Sequence, residues 1–182
     1  PVNAHALLAA RHGFLCLEAY FYPYERDTLV NVHSCTKSII GALIGIALHE
    51  GHLKSLDQRV VSFFPDRKIQ HLDARKKRMT IRHLLTMSSG LDWEYGPTDL
   101  EMERSADWVQ FILDRRMAAA PGKRFNYSNG TSHLLSAILQ VATGMSASAY
   151  AESRLFAPMG IRRFYWPADP QGITRGYGDL NL

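Results

Sequence analysis

Two short apolar stretches open the chain, residues 5–11 and 14–22, separated by His12-Gly13. Runs of that length around a His-Gly pair predict two strands joined as a β-hairpin, the second ending at Tyr22-Pro23-Tyr24. From residue 38 onward the spacing of apolar residues changes to that of helices. Ile39, Ile40, Leu43, Ile44, Ile46 and Leu48 fill most faces of a segment that stops at Glu50-Gly51, where glycine suits the position after a helix. A helix so apolar all round is expected to be central and buried. Ser55 to Gln58 reads as a further helix start, leading to Val60, Val61, Phe63 and Phe64 before Pro65. Thr80 can cap residues 81–87, with Ser88-Ser89-Gly90 as the stop, and Ser105 can cap residues 106–116. Gly130 to Thr143 forms another apolar-faced helix ended by Gly144, and Ser146 starts a last one through Phe156. Residues 158–182 show no regular period.

Two strands, five or six helices and an irregular tail do not alternate as a doubly wound fold requires. They point to an α+β protein. A lone hairpin is marginal as a sheet and exposes two edges, so the pattern asks for additional strands.

At 182 residues and 46% apolar composition the chain can build the core of one domain. Its formal charge is +4, much of it in Arg75-Lys76-Lys77-Arg78. No aromatic residues interleave with that run, which reads as a solvated linker, and no nucleic-acid partner is expected. Two cysteines imply no disulfide framework; Cys16 reads as a core residue of the second strand. The longest apolar run, Ile39 to Leu48, is broken by Gly41 and Gly45, so no membrane span is expected. No signal peptide is visible, but Pro1 is not a natural start; the compartment stays unassigned. His49-Glu50-x-His52 lacks the His-Glu-x-x-His spacing and the eight histidines do not otherwise cluster, so neither a metal nor a cofactor is expected.

Chemistry enters with Ser34-Cys35-Thr36-Lys37. Serine and lysine three apart at a helix start share one face, one turn from each other. A hydroxyl becomes nucleophilic when a base can take its proton, and an amine serves once burial or a neighbouring cation leaves it neutral. Cys35 is a weaker nucleophile candidate, because Ser38 would stand where its lysine should. The free N–H groups of a helix start favour the negative charge that develops at an attacked carbonyl. Tyr127-Ser128-Asn129 is the second polar constellation. Its tyrosine can relay a proton or act as the base, and its asparagine can hold Lys37 or grip a substrate amide.

Together these motifs resemble the serine hydrolases related to class C β-lactamases, D-alanyl-D-alanine carboxypeptidases and family VIII esterases. Val32-His33-Ser34-Cys35-Thr36-Lys37-Ser38 is similar to the family's first motif, and Tyr127-Ser128-Asn129 to its Tyr-x-Asn. Residues 51–57 (GHLKSLD), 81–91 (IRHLLTMSSGL), 121–127 (PGKRFNY) and 155–161 (LFAPMGI) share its flavour, in the family's order. The resemblance implies a β-lactamase/transpeptidase-like fold, with a helical subdomain and an antiparallel sheet of which this chain holds the first hairpin. It divides the chain into hairpin and connection (1–33), a helical region with both motifs (34–156) and a tail (157–182). It implies Ser34 as the acyl-accepting nucleophile, Lys37 as its activating partner, Tyr127 as base or relay and Asn129 as a substrate contact. The substrate would be a small ester or amide, cleaved without a cofactor.

One departure stands out. The family's third motif, Lys-Thr-Gly or His-x-Gly, does not occur after Tyr127, and members continue with strands past the position of Leu182. Residues 172–182 (GITRGYGDLNL) resemble the glycine-rich stretch before that half. The alternatives are therefore a portion that needs a complementing C-terminal segment or a second copy, or a penicillin-recognising sensor that acylates without turnover.

Overall fold

The computed structural model describes residues 4–182. Strands β1 (Ala6–Arg11) and β2 (Phe14–Tyr20) pair antiparallel from Ala6↔Tyr20 to Arg11↔Phe14, with an irregularity between Ala9 and Ala10. His12 and Gly13 both take positive φ, 51° and 82°, the twist a tight hairpin turn needs. Neighbouring residues Leu7 and Leu8 are 54% and 55% exposed, so neither face of the hairpin is covered among the described residues. Cys16, expected in the core, is for this reason exposed.

The chain then runs through residues 30–32 into a 3-10 turn, His33–Cys35, and the helix α1, Thr36–His49. The helix thus begins two residues after Ser34 rather than at it. Only one face of α1 is buried, through Thr36, Ile40, Leu43, Ile44 and Ala47, while Ala42 and Gly45 are exposed. The central position expected for α1 belongs instead to α5 (Asn129–Thr143), whose residues 130–139 are all buried. α1, α2 (Ile81–Leu85), α4 (Trp108–Asp114) and α6 (Ala147–Ala151) pack around it. Small residues let them approach. A Cβ on Gly130 would lie 2.5 Å from the Trp93 ring.

Caps account for most helix ends. The Ser128 and Ser146 hydroxyls accept N–H bonds from Thr131 and Ala149, and Gly144 closes α5 at φ 71°. Thr80 caps α2 reciprocally with His83, which accepts the Thr80 N–H at Nδ1. α6 continues as a π turn, Glu152–Phe156.

Three sequence expectations are corrected here. No helix starts at Ser55: the Gln58 side chain accepts the N–H groups of Lys54 and Ser55, a local alternative to helix, and only a 3-10 turn forms at Val60–Phe63. α4 is capped by Asp107, whose carboxylate accepts the Gln110 N–H at 2.9 Å. Ser105 instead closes an unpredicted helix, α3 (Pro97–Arg104), by donating to the Met102 carbonyl. Finally, the basic run is not all solvated. Lys76 is fully buried and donates to the carbonyls of Gln70 and Leu113, at 2.8 and 2.7 Å. Burial pushes its ammonium below the usual lysine value, against the pull of Asp114 and Asp73.

The tail has no helix or named strand, yet it is held. Val30 and Leu182 exchange backbone bonds, Val32 donates to Leu180, and Tyr165 exchanges bonds with Asn181. Residues 180–182 therefore lie between 30–32 and 165, in three-ribbon contact beside the Ser34 turn. Among the described residues no single helix is long and apolar enough to cross a membrane; α5 and α6 with its π turn reach that length only together, bent by 74°.

Candidate active site

Three segments distant in sequence converge on Ser34. The extended residues 30–32 turn into the 3-10 helix at His33, which has φ 46°, an uncommon conformation for a side chain with a Cβ. The Asn31 carboxamide fixes this corner by accepting the His33 N–H at 2.7 Å. Ser34 is exposed at the resulting bend, and Lys37 lies one turn on, in the first turn of α1. Its Nζ is 3.0 Å from Ser34 Oγ. From the far side, the loop before α5 brings Tyr127, whose OH is 2.8 Å from the same Oγ. Lys37 Nζ also sits 4.9 Å from the centre of the Tyr127 ring.

The electrostatics follow from this triangle. Burial alone would raise the Tyr127 phenol. Polar contact with Lys37, the hydrogen bond with Ser34 and the charge of Lys37 outweigh it, and the phenol is held below its usual value. Lys37 is only partly buried, contrary to the desolvation expected from a helix apolar on every side.

Asn129, the fourth residue singled out in the sequence, is the first residue of α5. It lines a depression of about 110 Å³ together with His33, Ser34, Tyr177, Gly178 and Asp179. Its Oδ1 is buried and has no hydrogen-bond partner among the described residues. It makes no hydrogen bond to Lys37 there. The partner of Lys37 is a group that the sequence did not disclose: the backbone carbonyl of Tyr177, which accepts from Nζ at 2.7 Å. A carbonyl has no side-chain signature. The only hint was the glycine density of residues 172–178.

Two further neighbours complete the surroundings. Tyr95, 64% exposed, meets the edge of the Tyr127 ring with centroids 5.4 Å apart. Its loop is tied to α3 by Asp99, which accepts both the Trp93 indole N–H and the Gly96 N–H, at 3.1 and 2.8 Å. Asp179 accepts from Asn31 Nδ2 at 3.3 Å and from Arg175 at 2.7 Å, tying the tail to the corner that presents Ser34.

Chemically, the triangle places a hydroxyl between an amine and a phenol, open to solvent on one side. Such an arrangement can pass the hydroxyl proton to either neighbour while the oxygen attacks a carbonyl carbon.

Comparison with known proteins is consistent across sequence and fold. The chain is 30% identical over 172 residues to the esterase EstB of Burkholderia gladioli, covering 86% of this chain and 43% of the relative. It is 25% identical over 158 residues to a beta-lactamase of Escherichia coli (strain K12), covering 85% of this chain and 40% of the relative. It thus spans less than half the length of either. Among solved structures, the octameric penicillin-binding protein homologue from Pyrococcus abyssi superposes with a TM-score of 0.74 at 22% identity. That match covers 97% of this chain and 48% of that one. The sequence profile described as Beta-lactamase matches residues 4–179, nearly the whole chain. This protein belongs to the beta-lactamase family.

Proposed function

We propose that the chain carries the acyl-forming site of a serine hydrolase that cleaves a small ester or amide. The observation that carries this reading is the position of Ser34 Oγ, 3.0 Å from an amine and 2.8 Å from a phenol held below its usual value. Ser34 Oγ attacks the substrate carbonyl as its proton passes to the Lys37/Tyr127 pair. The tetrahedral intermediate collapses, the bond to the leaving group breaks, and that group departs with the proton. Water then attacks the acyl carbonyl and gives a proton to the same pair; the bond to Ser34 Oγ breaks as that proton passes to it, and the acid departs. Asn129, which lines the depression beside Ser34, is the substrate contact. The esterase and beta-lactamase relatives support ester and amide bonds as the substrate class.

A fluorophosphonate probe tests this reading. Ser34 is expected to be the labelled residue by peptide mass, with labelling lost in Ser34→Ala and turnover of a p-nitrophenyl ester lost in Lys37→Ala. Labelling that persists in Ser34→Ala overturns it.

A second reading rests on the open hairpin, whose Leu7 and Leu8 on opposite faces are both exposed among the described residues. In that reading Ser34 acylates, but turnover requires a complementing C-terminal segment or a second copy of the chain, or is absent as in a penicillin-recognising sensor. A stoichiometric burst of p-nitrophenol without steady-state release distinguishes it.

A further inference from the structure

Among the described residues, the most buried ionisable pair lies behind the triangle and takes no part in it. His133 on α5 and Asp169 in the tail meet at 2.9 Å, Nε2 to Oδ2, with both side chains completely inaccessible. The other carboxylate oxygen of Asp169 accepts the N–H groups of Gln171 and Ile173, both at 2.8 Å. The other ring nitrogen of His133, Nδ1, accepts the Gly176 N–H at 3.5 Å. An atom that accepts carries no hydrogen, so the histidine proton sits on Nε2 and points at Asp169. Asp169 thereby sets which face His133 offers to Gly176.

That matters because Gly176 precedes Tyr177, whose carbonyl holds Lys37. The segment has little freedom at this point. A Cβ on Gly176 would lie 2.3 Å from the Ser132 carbonyl oxygen, so the backbone rests directly on α5. Ser136, one turn on from Ser132 along α5, donates to the Thr174 carbonyl at 2.6 Å. The Tyr177 phenol donates to Glu103 at 2.7 Å, anchoring the far side of the same residue. A continuous set of contacts therefore runs from Asp169 through His133 and Gly176 to the Tyr177 carbonyl, and from there to Lys37 Nζ and Ser34 Oγ.

We propose that His133 and Asp169 are positioning residues for Lys37, acting by fixing the backbone at Gly176-Tyr177. The inference rests on the acyl-enzyme reading above. Neither side chain touches substrate. What they supply is the placement of an acceptor that keeps the lysine amine aimed at Ser34, and reaction rates are sensitive to displacements of an ångström.

The discriminating variant is Asp169→Asn, nearly identical in shape. An amide nitrogen opposite Nε2 can only donate, so the histidine proton must move to Nδ1, where it faces the Gly176 N–H donor to donor. Two measurements on the full chain read the outcome. Long-range proton–nitrogen spectra of His133 should show a proton on Nε2 in the parent and on Nδ1 in the variant. The maximal rate of Ser34 phosphonylation by a fluorophosphonate, in which the P–O bond forms as fluoride leaves, should fall about 10- to 100-fold, while the half-saturating concentration of the probe is unchanged. A folded Asp169→Asn whose maximal phosphonylation rate stays within about twofold of the parent overturns the proposal, as does a proton on Nδ1 in the parent. If Asp169→Asn does not fold, His133→Gln decides. It removes the ring that links Asp169 to the Gly176 N–H, and a maximal rate unchanged from the parent overturns the proposal. A parent that is not labelled at all overturns the acyl-enzyme reading, and this inference with it; the spectra still report separately on the histidine proton.

Discussion

Lys37 spends one N–H on a carbonyl that can never return a proton. Its neutral amine would have two hydrogens and one lone pair. With one hydrogen committed to Tyr177 O, the remaining hydrogen and the lone pair are divided between Tyr127 and Ser34. The carbonyl therefore orients the amine as well as binding it. The same residue holds the Tyr127 phenol below its usual value. In Lys37→Met the burial that raises the phenol remains while the lowering influence of the lysine is gone. A depressed phenol ionises at lower pH than usual, so ionisation of Tyr127 should move to higher pH in this variant. An ultraviolet titration of phenolate absorbance, taken as the difference from Tyr127→Phe in each background, checks this; a Tyr127 transition that stays in place would show that Lys37 does not lower it. The convergence of Ser34, Lys37 and Tyr127 was legible because each announces itself by a reactive side chain at a telling spacing. Lys76 misled for the complementary reason: four consecutive cations look solvated, and nothing local reveals that two carbonyls wait for one of them.

Among the elements, α5 bears most of the consequences of sequence. Its cap, Ser128, lies between Tyr127 and Asn129, so the hydrogen bond that starts the helix also fixes the two residues aimed at the site. Two substitutions separate capping from packing. Ser128→Ala should cost about 1 kcal/mol, the usual value of a lost cap. Gly130→Ala should cost about 1–3 kcal/mol, because the added methyl meets a Trp93 ring whose N–H is held by Asp99 and cannot swing aside. For a chain of this size each kcal/mol lowers the melting temperature by roughly 2–4 °C, readable by calorimetry. A Gly130→Ala protein as stable as the parent would contradict the close approach. Helix existence was largely legible from caps and spacing. α3 was not, since Gly96-Pro97-Thr98-Asp99 has the chemistry of a turn and the helix depends on Pro97 at its first position and Asp99 bridging back. The exchange of rank between α1 and α5 was equally invisible: both are apolar, and only the packing partners decide which is enclosed.

At the scale of the fold, the triangle and the carbonyl that holds its lysine are assembled from segments far apart in sequence. Ser34 meets Tyr127 across 93 positions of chain, and Lys37 meets Tyr177 across 140. The hairpin and the single helices can form from near neighbours, but closing such long loops costs entropy before any contact repays it. On the proposed reading, chemical competence is thus expected to report a late event in folding rather than average structure. On dilution from denaturant, helical circular dichroism should recover ahead of the ability to react with a fluorophosphonate, which should return only with the slowest phase. Labelling that recovers in step with the earliest helical signal would mean that the triangle forms without the tail in place. On the proposed acyl-enzyme reading, the carbonyl at Tyr177 gives this arrangement a further meaning: reactivity becomes a proofreading signal, and a molecule whose residues 169–178 have not docked is expected to hold Ser34 beside an unaimed amine and stay chemically silent.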